Sequence, residues 1–376
     1  MIPPGPVRDL ALSVARPAYV YDLAGLRAHA AAIRAAVPAE LFYAAKANPD
    51  PRILTTLAPY VDGIEVSSGG ELAHVREVLP AARVAFGGPG KTEAELEAAV
   101  DRLHVESPLE LRRLAASRRA ADVLLRVNLP VAASGASLRM SGPFGMDAEA
   151  LGTCLDLLAD APRLRLRGFH AHLASGLEAG PLLEVAAQVL GWARSWADGL
   201  GGPPEFNLGG GMAVDYRAPE RRFDWAAYGA GLAALRRPGE VLRVEPGRAV
   251  TAYCGWYVTD VLDVKRTHGS WYAVLRGGTH HLRTPVAKGH DQPFTVLPAG
   301  EGPAAGGPVT LVGQLCTPKD VLARQVPVER IAVGDVVAFA LAGAYAWNIS
   351  HHDFLMHPKP SVHYALTPEE SAPAAR

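Results

Sequence analysis

Four short stretches of this 376-residue chain hold residue types that could do chemistry together. Lys46 closes the apolar run Phe42-Tyr43-Ala44-Ala45; it is either a snorkelling side chain or a desolvated amine able to condense with a carbonyl carbon. Glu245 and Arg248, in Glu245-Pro246-Gly247-Arg248, are either an ordinary salt bridge or an acid that keeps a ring nitrogen protonated beside a cation that binds phosphate. Gly209-Gly210-Gly211, after Phe206-Asn207-Leu208, is a plain tight turn or a cradle whose backbone N–H groups approach an anion closely. His172, in Gly168-Phe169-His170-Ala171-His172-Leu173-Ala174-Ser175-Gly176, is a satisfied core imidazole or a flat ring able to stack on a planar cofactor.

Only a fold that returns to one rim after each element can gather residues so far apart in sequence. From Leu41 to Glu245 short β-type runs alternate with amphipathic windows of helical period. The predicted strands are Leu41–Ala45, Gly63–Val66, Arg83–Phe86, Leu103–Val105, Val123–Val127, Leu164–His172, Glu205–Leu208 and Val241–Val244. Eight βα units predict a (β/α)8 TIM barrel, an architecture that places chemistry at the C-terminal ends of its strands. Lys46, the Ser67-Ser68 pair, His172, the glycine run and Glu245 all follow or end such strands. Beyond Tyr253 the texture changes to Trp, Tyr, Val and Thr runs broken by Gly and Pro, which predicts a C-terminal all-β domain, a β-barrel or sandwich. The expected partition is an N-terminal segment 1–24 packing on the β-domain, a barrel over 25–250 and the β-domain over 251–376. Gly300–Gly307 reads as a surface loop by composition, and Thr367–Arg376 as a frayed tail.

Composition removes several classes of function. With 49% hydrophobic and 20% charged residues the chain can build real cores, which excludes a disordered or collagen-like protein. Thirty-seven Lys+Arg against thirty-eight Asp+Glu leave a formal net charge of -1, so no global field favours a nucleic acid or a membrane surface. No apolar stretch reaches the roughly 18 residues a membrane span needs, and no signal peptide is expected at the start. Cys154, Cys254 and Cys316 are odd in number and widely spaced, which fits a reducing compartment and makes the cytoplasm the expected location.

Taken in order, the segments around Lys46, Gly63-Ile64-Glu65-Val66-Ser67-Ser68-Gly69-Gly70-Glu71-Leu72, the His172 segment, the glycine turn, Glu245-Pro246-Gly247-Arg248, Leu315-Cys316-Thr317-Pro318-Lys319-Asp320-Val321-Leu322 and Gly343-Ala344-Tyr345 resemble the fold-type III pyridoxal-phosphate decarboxylases, the diaminopimelate and ornithine decarboxylase group. The resemblance runs from about Pro17 to Pro360. It implies pyridoxal 5'-phosphate as cofactor, held covalently by Lys46, with His172 stacked on its ring and Glu245 at its ring nitrogen, so that the ring serves as an electron sink. It further implies that Ser175, Gly210, Gly211, Arg248 and Tyr345 hold the phosphate. Cys316 would be the thiol that returns a proton to carbon after carbon dioxide leaves, donated from the neighbouring subunit of a homodimer. An inert buried thiol is the other reading of Cys316.

Two positions depart from the amine-specific members. Where they carry an acid after the cysteine this chain has Thr317, and where a second acid opens the following loop it has Arg276. Both changes argue against a distal ammonium on the substrate and for an anionic group. Arg276, His280, His281, Arg283, Lys288 and His290 form one basic stretch, and His351, His352, His357 and Lys359 another. They are solvated loops, or they receive carboxylates through charge-assisted hydrogen bonds, with Arg276, His280, His281, Arg283 and Thr317 as the expected substrate residues. The paired histidines lack a carboxylate-rich scaffold, so no metal is expected. The loops most resemble the siderophore-pathway branch that decarboxylates a citryl-diaminopropionate conjugate. A diaminopimelate decarboxylase, an amino-acid racemase and a non-catalytic cofactor-binding homologue are the alternatives.

Overall fold

The computed structural model of the chain describes residues 1–366 apart from 118, 132, 141, 198–199, 201 and 284–288. The expected tail Thr367–Arg376 and Lys288 of the basic stretch lie outside the described residues. The chain divides into two compact units, one of residues 29–213 and 223–249, the other of residues 1–28, 214–222 and 250–376.

The first unit is a closed barrel of eight parallel strands, Glu40–Ala44, Gly63–Val66, Val84–Phe86, Arg102–Val105, Ala121–Arg126, Leu164–His170, Glu205–Asn207 and Val241–Val244. Its strands read as near-continuous apolar runs because each is covered on both faces: Gly63–Val66 and Val84–Phe86 are buried at every position. Short polar caps start the helices that follow. The Ser68 hydroxyl accepts from Glu71 N for helix Gly69–Val78, and Ser107 accepts from Glu110 N for Pro108–Ala116, where proline stands at the first turn. The N-terminal mouth is closed by charge. Arg102 meets Glu205 at 2.5 Å, Arg243 pairs with Glu40 and lies 3.3 Å from Glu205, and Arg83 meets Glu40 at 2.7 Å. Paired, with Glu205 and Arg243 buried, these groups tie neighbouring strand starts together and leave the opposite mouth for chemistry.

The sixth strand ends at His170, two residues before the expected His172. The chain follows its neighbour as far as Ala171 N, which donates to Asn207 O at 2.8 Å; beyond it Gly176 N and Leu177 N turn onto Gly211 O instead. His172 therefore stands in the loop above the rim.

The second unit carries an eight-stranded sheet, with Phe294–Leu297, Val336–Phe339, Gly255–Thr267, Ser270–Leu275, Ala304–Val312 and Val321–Ala332 in spatial order. Ala18–Asp22 joins it, antiparallel to Gly255–Thr267 and parallel to Ser361–Ala365. The expected loop Gly300–Gly307 is strand from Ala304 onward. Ala304, Ala305 and Gly307 pair with Ala332, Ile331 and Val328, and a register shift between Ala305 and Gly307 accommodates the glycines that made the segment look like a loop. Among the described residues, no helix is long and apolar enough to cross a membrane.

Candidate active site

Lys46 sits in a single 3-10 turn, Ala45–Ala47, directly after the first barrel strand. Ala44 N donates to Pro246 O at 3.2 Å, which closes the barrel and sets the Lys46 turn beside the Glu245 segment. The Lys46 ammonium lies 2.9 Å from Glu65 Oε2 and 3.4 Å from Ser67 Oγ, and Ser67 donates to Glu65 Oε1 at 3.0 Å. Glu65 is buried, whereas the lysine side chain keeps 46% of its exposure. An amine that pairs with a buried acid while its tip still reaches solvent is accessible to a carbonyl reactant.

Beside it on the rim, Glu245 follows the last strand and is buried. Asn207 Nδ2 donates to its Oε1 at 2.6 Å, and Asn207 Oδ1 accepts from Gly209 N at 3.0 Å. His170 Nε2 lies 3.3 Å from Glu245 Oε2, and the His170 ring stacks on His104 at 4.2 Å between centroids. One donor atom from each of His104, His170 and Glu245 falls within 4.8 Å of the others. Burial holds both imidazoles well below their ordinary pKa, so both are neutral.

The glycine run serves His172 as much as any anion. Gly210 N donates to His172 Nδ1 at 2.9 Å, and a Cβ on Gly209, at φ 66°, would stand 2.6 Å from that same nitrogen. His172 Nε2 lies 3.4 Å from Ser175 Oγ. Burial and the Lys46 charge push the His172 pKa down to about 4, leaving a neutral ring. Gly211 is at φ 105°, and its carbonyl takes Gly176 N and Leu177 N. Arg248 opens helix Arg248–Thr251, half-buried. This donor set fits a pyridoxal group: an amine for the carbonyl carbon, a carboxylate for the ring nitrogen and a neutral flat ring for the π-face.

In the second unit Asp320 fastens two loops together. Its Oδ1 accepts from Thr279 N at 2.6 Å and its Oδ2 from Leu315 N at 2.8 Å. A Cβ on Gly278 would stand 2.5 Å from Oδ1, and one on Gly313 2.2 Å from Oδ2, so both loops need glycine at the clamp. The clamp sets Cys316 and Thr317, on one loop, beside His280 and His281, on the other. Cys316 is exposed, whereas Cys154 and Cys254 are buried.

The five expected substrate residues are differently employed. His280 is fully buried with neither ring nitrogen hydrogen-bonded among the described residues, and its pKa is lowered to about 4 by burial and by His357 and His351. The rings of His357 and His351 stand 5.2 and 6.5 Å from it. His281 uses both nitrogens in the scaffold, at 3.0 Å from Tyr257 Oη and 3.1 Å from Pro358 O. Arg276 pairs with Asp260 at 2.7 Å. Arg283 is exposed and donates to Ile349 O at 3.3 Å. Thr317 caps the turn between Leu315 and Asp320. Tyr345 adopts a left-handed backbone at φ 49°.

Sequence reasoning singled out neither Glu65, His104, His170, Asn207 nor Asp320. A lone acid or imidazole inside an apolar strand, as in Gly63-Ile64-Glu65-Val66 and Leu103-His104-Val105, was the available signal.

Residues 23–252 match the family model described as the pyridoxal binding domain of pyridoxal-dependent decarboxylases. The chain is 40% identical, over 94% of each, to the 2-[(L-alanin-3-ylcarbamoyl)methyl]-2-hydroxybutanedioate decarboxylase of Staphylococcus aureus. It is 34% identical to a diaminopimelate decarboxylase of Actinosynnema pretiosum, over 90% of this chain and 82% of that one. The L-glutamyl-[BtrI acyl-carrier protein] decarboxylase of Niallia circulans is 30% identical over 92% and 87%. In fold the chain is similar to diaminopimelate decarboxylase from Helicobacter pylori, with a TM-score of 0.85, 24% identity and 95% and 93% of the two chains covered.

Proposed function

The chain belongs to the pyridoxal-dependent decarboxylases, and from that premise we propose that it removes the α-carboxylate of an amino acid whose distal portion is rich in carboxylates. The substrate class is that of the staphylococcal relative's name, a hydroxybutanedioate joined through an amide to the side chain of an alanine. It corresponds to a citryl-diaminopropionate conjugate. The observation that carries this reading is His280, buried with both ring nitrogens unpartnered among the described residues, on the loop that Asp320 clamps to the Leu315 backbone next to Cys316. A neutral imidazole has one donor and one acceptor, and a hydroxybutanedioate offers a carboxylate to the first and a hydroxyl to the second. Arg283 adds charge from the exposed side of the same loop. Arg276 and His281 contribute through Asp260 and Tyr257, which hold the loop in place, and Thr317 leaves out the acid that a distal ammonium would need.

Pyridoxal phosphate, when bound, supplies an electron sink for the pair left behind as carbon dioxide departs. Lys46 is the amine that holds it, and Glu65 orients that amine. Glu245 holds the proton of the ring nitrogen, and His172 covers the ring face. Ser175, Gly210, Gly211, Arg248 and Tyr345 are assigned to the phosphate; Gly211 supplies the N–H closest in role to the expected cradle, because Gly210 donates to His172. The Cys316 thiol delivers a proton to the carbon that lost carbon dioxide. Its exposure on its own chain supports a homodimer in which it serves the partner's site.

Carbon dioxide release tests the reading, with the hydroxybutanedioate conjugate and diaminopimelate compared on the same preparation. Faster release from the conjugate is expected. Preference for diaminopimelate would move the assignment to the second reading, which the 34% identity to the Actinosynnema enzyme favours.

A further inference from the structure

Of the two serines that follow the second barrel strand, Ser68 caps helix Gly69–Val78, whereas the Ser67 hydroxyl engages the acid and the amine of the site. Ser67 Oγ donates to Glu65 Oε1 at 3.0 Å and accepts from Lys46 Nζ at 3.4 Å. The Lys46 ammonium meets both oxygens of the same carboxylate, Oε2 at 2.9 Å and Oε1 at 3.2 Å. Amine, acid and hydroxyl thus close a triangle of hydrogen bonds, and Ser67 is the member that donates and accepts at once.

The backbone that carries this hydroxyl is held from two further sides. Ser67 N donates to Glu71 Oε2 at 2.7 Å, so the first turn of the following helix fixes it. Gly88, at φ 106°, lies against it, and a Cβ there would stand 3.3 Å from Ser67 O. Gly88 is itself pinned, because its N–H donates at 2.8 Å to buried Glu106, which also takes Arg126 Nη1 at 2.7 Å. The terminal torsion of a glutamate is broad, so a carboxylate keeps one orientation only when a fixed neighbour holds it. Ser67 is such a neighbour for Glu65.

We propose that Ser67 is a positioning residue for the reaction: its bond to Oε1 fixes the Glu65 carboxylate with Oε2 toward Lys46, and by sharing that acid's charge it sets the pH at which the Lys46 nitrogen, once bonded to the cofactor, gives up its proton. This rests on the cofactor assignment of the preceding section. A carboxylate that accepts an O–H is a weaker base than the same carboxylate without it, so it holds a neighbouring proton less tightly. The other titratable groups around the pair are Glu71 on the following helix, His104, which lies with Glu65 against Gly87, and His170 and His172, from the sixth strand and the loop after it. Burial and Glu65 raise the Glu71 pKa; burial lowers those of the three imidazoles, and Lys46 adds to the effect at His170 and His172. All four shifts favour the neutral form. Among the described residues, the negative charge beside the Lys46 nitrogen is therefore chiefly that of Glu65.

Three variants of the holoenzyme test it. Ser67→Ala removes the hydroxyl but keeps the backbone N–H that Glu71 takes, so the turn is retained, and Ser67→Thr restores the hydroxyl. The pH midpoint of the bound cofactor's absorbance is expected to rise by about half a unit to one unit in Ser67→Ala, the effect of one neutral hydrogen bond, and to return to the wild-type value in Ser67→Thr. The limb of the kcat/KM profile that reports this nitrogen is expected to move with it. A midpoint that stays or falls in Ser67→Ala overturns the proposal, and so does a rise that Ser67→Thr fails to reverse, because the hydroxyl would then not be its source. Glu65→Gln removes the anion and is expected to lower the midpoint; a rise there also overturns the proposal, since Glu65 would not be the group that holds the proton. Borohydride labelling in the same samples separates the two readings: a label away from Lys46 removes the cofactor assignment itself, whereas a label on Lys46 with an unmoved midpoint removes only the role of Ser67.

Discussion

Gly210 donates its backbone N–H to His172 Nδ1 at 2.9 Å, so the turn after the seventh barrel strand holds the imidazole that follows the sixth. The bond makes Nδ1 an acceptor and leaves the ring hydrogen on Nε2, toward Ser175. A ring fixed in this way presents one face at a constant tilt, as a stacking partner should. His172→Phe is expected to retain the cofactor nearly as well as the wild type, and His172→Ala to lose about 2- to 10-fold in cofactor affinity, the worth of one aromatic contact. Equilibrium titration of apoenzyme with pyridoxal phosphate measures this. Equal affinities for the two variants would show that His172 does not stack.

Acid should weaken the fold before the carboxylates titrate. The His172 and His280 pKa values are lowered to about 4 and that of His281 to about 3, all chiefly by burial, and burial also holds His104 and His170 well below their ordinary range. Unfolded histidines titrate near 6.5, so between that pH and about 4 the unfolded chain binds more protons than the folded one. The stability these neutral rings contribute is complete above pH 6.5 and is lost as pH falls toward 4. The urea midpoint is expected to drop steeply between pH 7 and 5; a flat profile there would mean that the rings are already charged in the folded protein.

The barrel was legible in sequence because parallel strands buried on both faces are written as unbroken apolar runs, and Gly63–Val66 and Val241–Val244 appear with the expected bounds. The β-unit was less so. Gly255–Thr267 ends in the exposed charges Asp263, Lys265 and Arg266, and Val321–Ala332 contains a proline and several charges, because their outer positions face water and mask the strand. Motif residues with one dominant chemistry, Lys46 and Glu245, could be picked out singly. Glu65, Asn207 and Asp320 could not, since each acquires its role from groups tens to a hundred or more residues away that only the closed sheet or the clamped loops bring near. Arg276 shows the converse: its charge was plain in the sequence, but its partner Asp260 lies on the neighbouring strand and was not.

Asp320 should control turnover without touching the cofactor. Its two oxygens hold the backbone of the Thr279 and Leu315 loops, so Asp320→Ala frees both. Each lost charge-assisted bond is worth about 1.5–3 kcal/mol. The variant is expected to keep the absorbance of bound cofactor while kcat falls at least 10-fold, and Asp320→Asn, which keeps one acceptor, should lie between. Loss of bound cofactor in Asp320→Ala would show that the clamp supports the barrel site as well.

A shared site makes a prediction for mixtures. Lys46→Ala and Cys316→Ala chains, each nearly inactive alone, should recover activity when co-refolded, because a mixed dimer contains one site with both residues intact. In a random mixture half of the dimers are mixed and each has one good site of two, so about a quarter of wild-type activity is expected. No recovery on mixing would place Lys46 and Cys316 of one chain in the same site, or make the thiol structural.

Substrate choice should follow His280 more than Arg276. His280 is buried with neither ring nitrogen partnered among the described residues, whereas the Arg276 guanidinium is partly neutralised by Asp260, which Arg16 also engages. Removing a buried partner from a charged ligand typically costs about 1.5–3 kcal/mol, so His280→Ala should lower kcat/KM for the hydroxybutanedioate conjugate by roughly 10- to 150-fold. Arg276→Ala should act less on kcat/KM and more on stability, since it leaves Asp260 with one cation in place of two. Thr317→Glu combined with Arg276→Asp restores both acids of the amine-specific relatives and should raise turnover of diaminopimelate. If instead His280→Ala leaves the conjugate's kcat/KM unchanged and Arg276→Ala abolishes it, the distal carboxylates are held by the arginine, and Asp260 is a partner it exchanges for substrate.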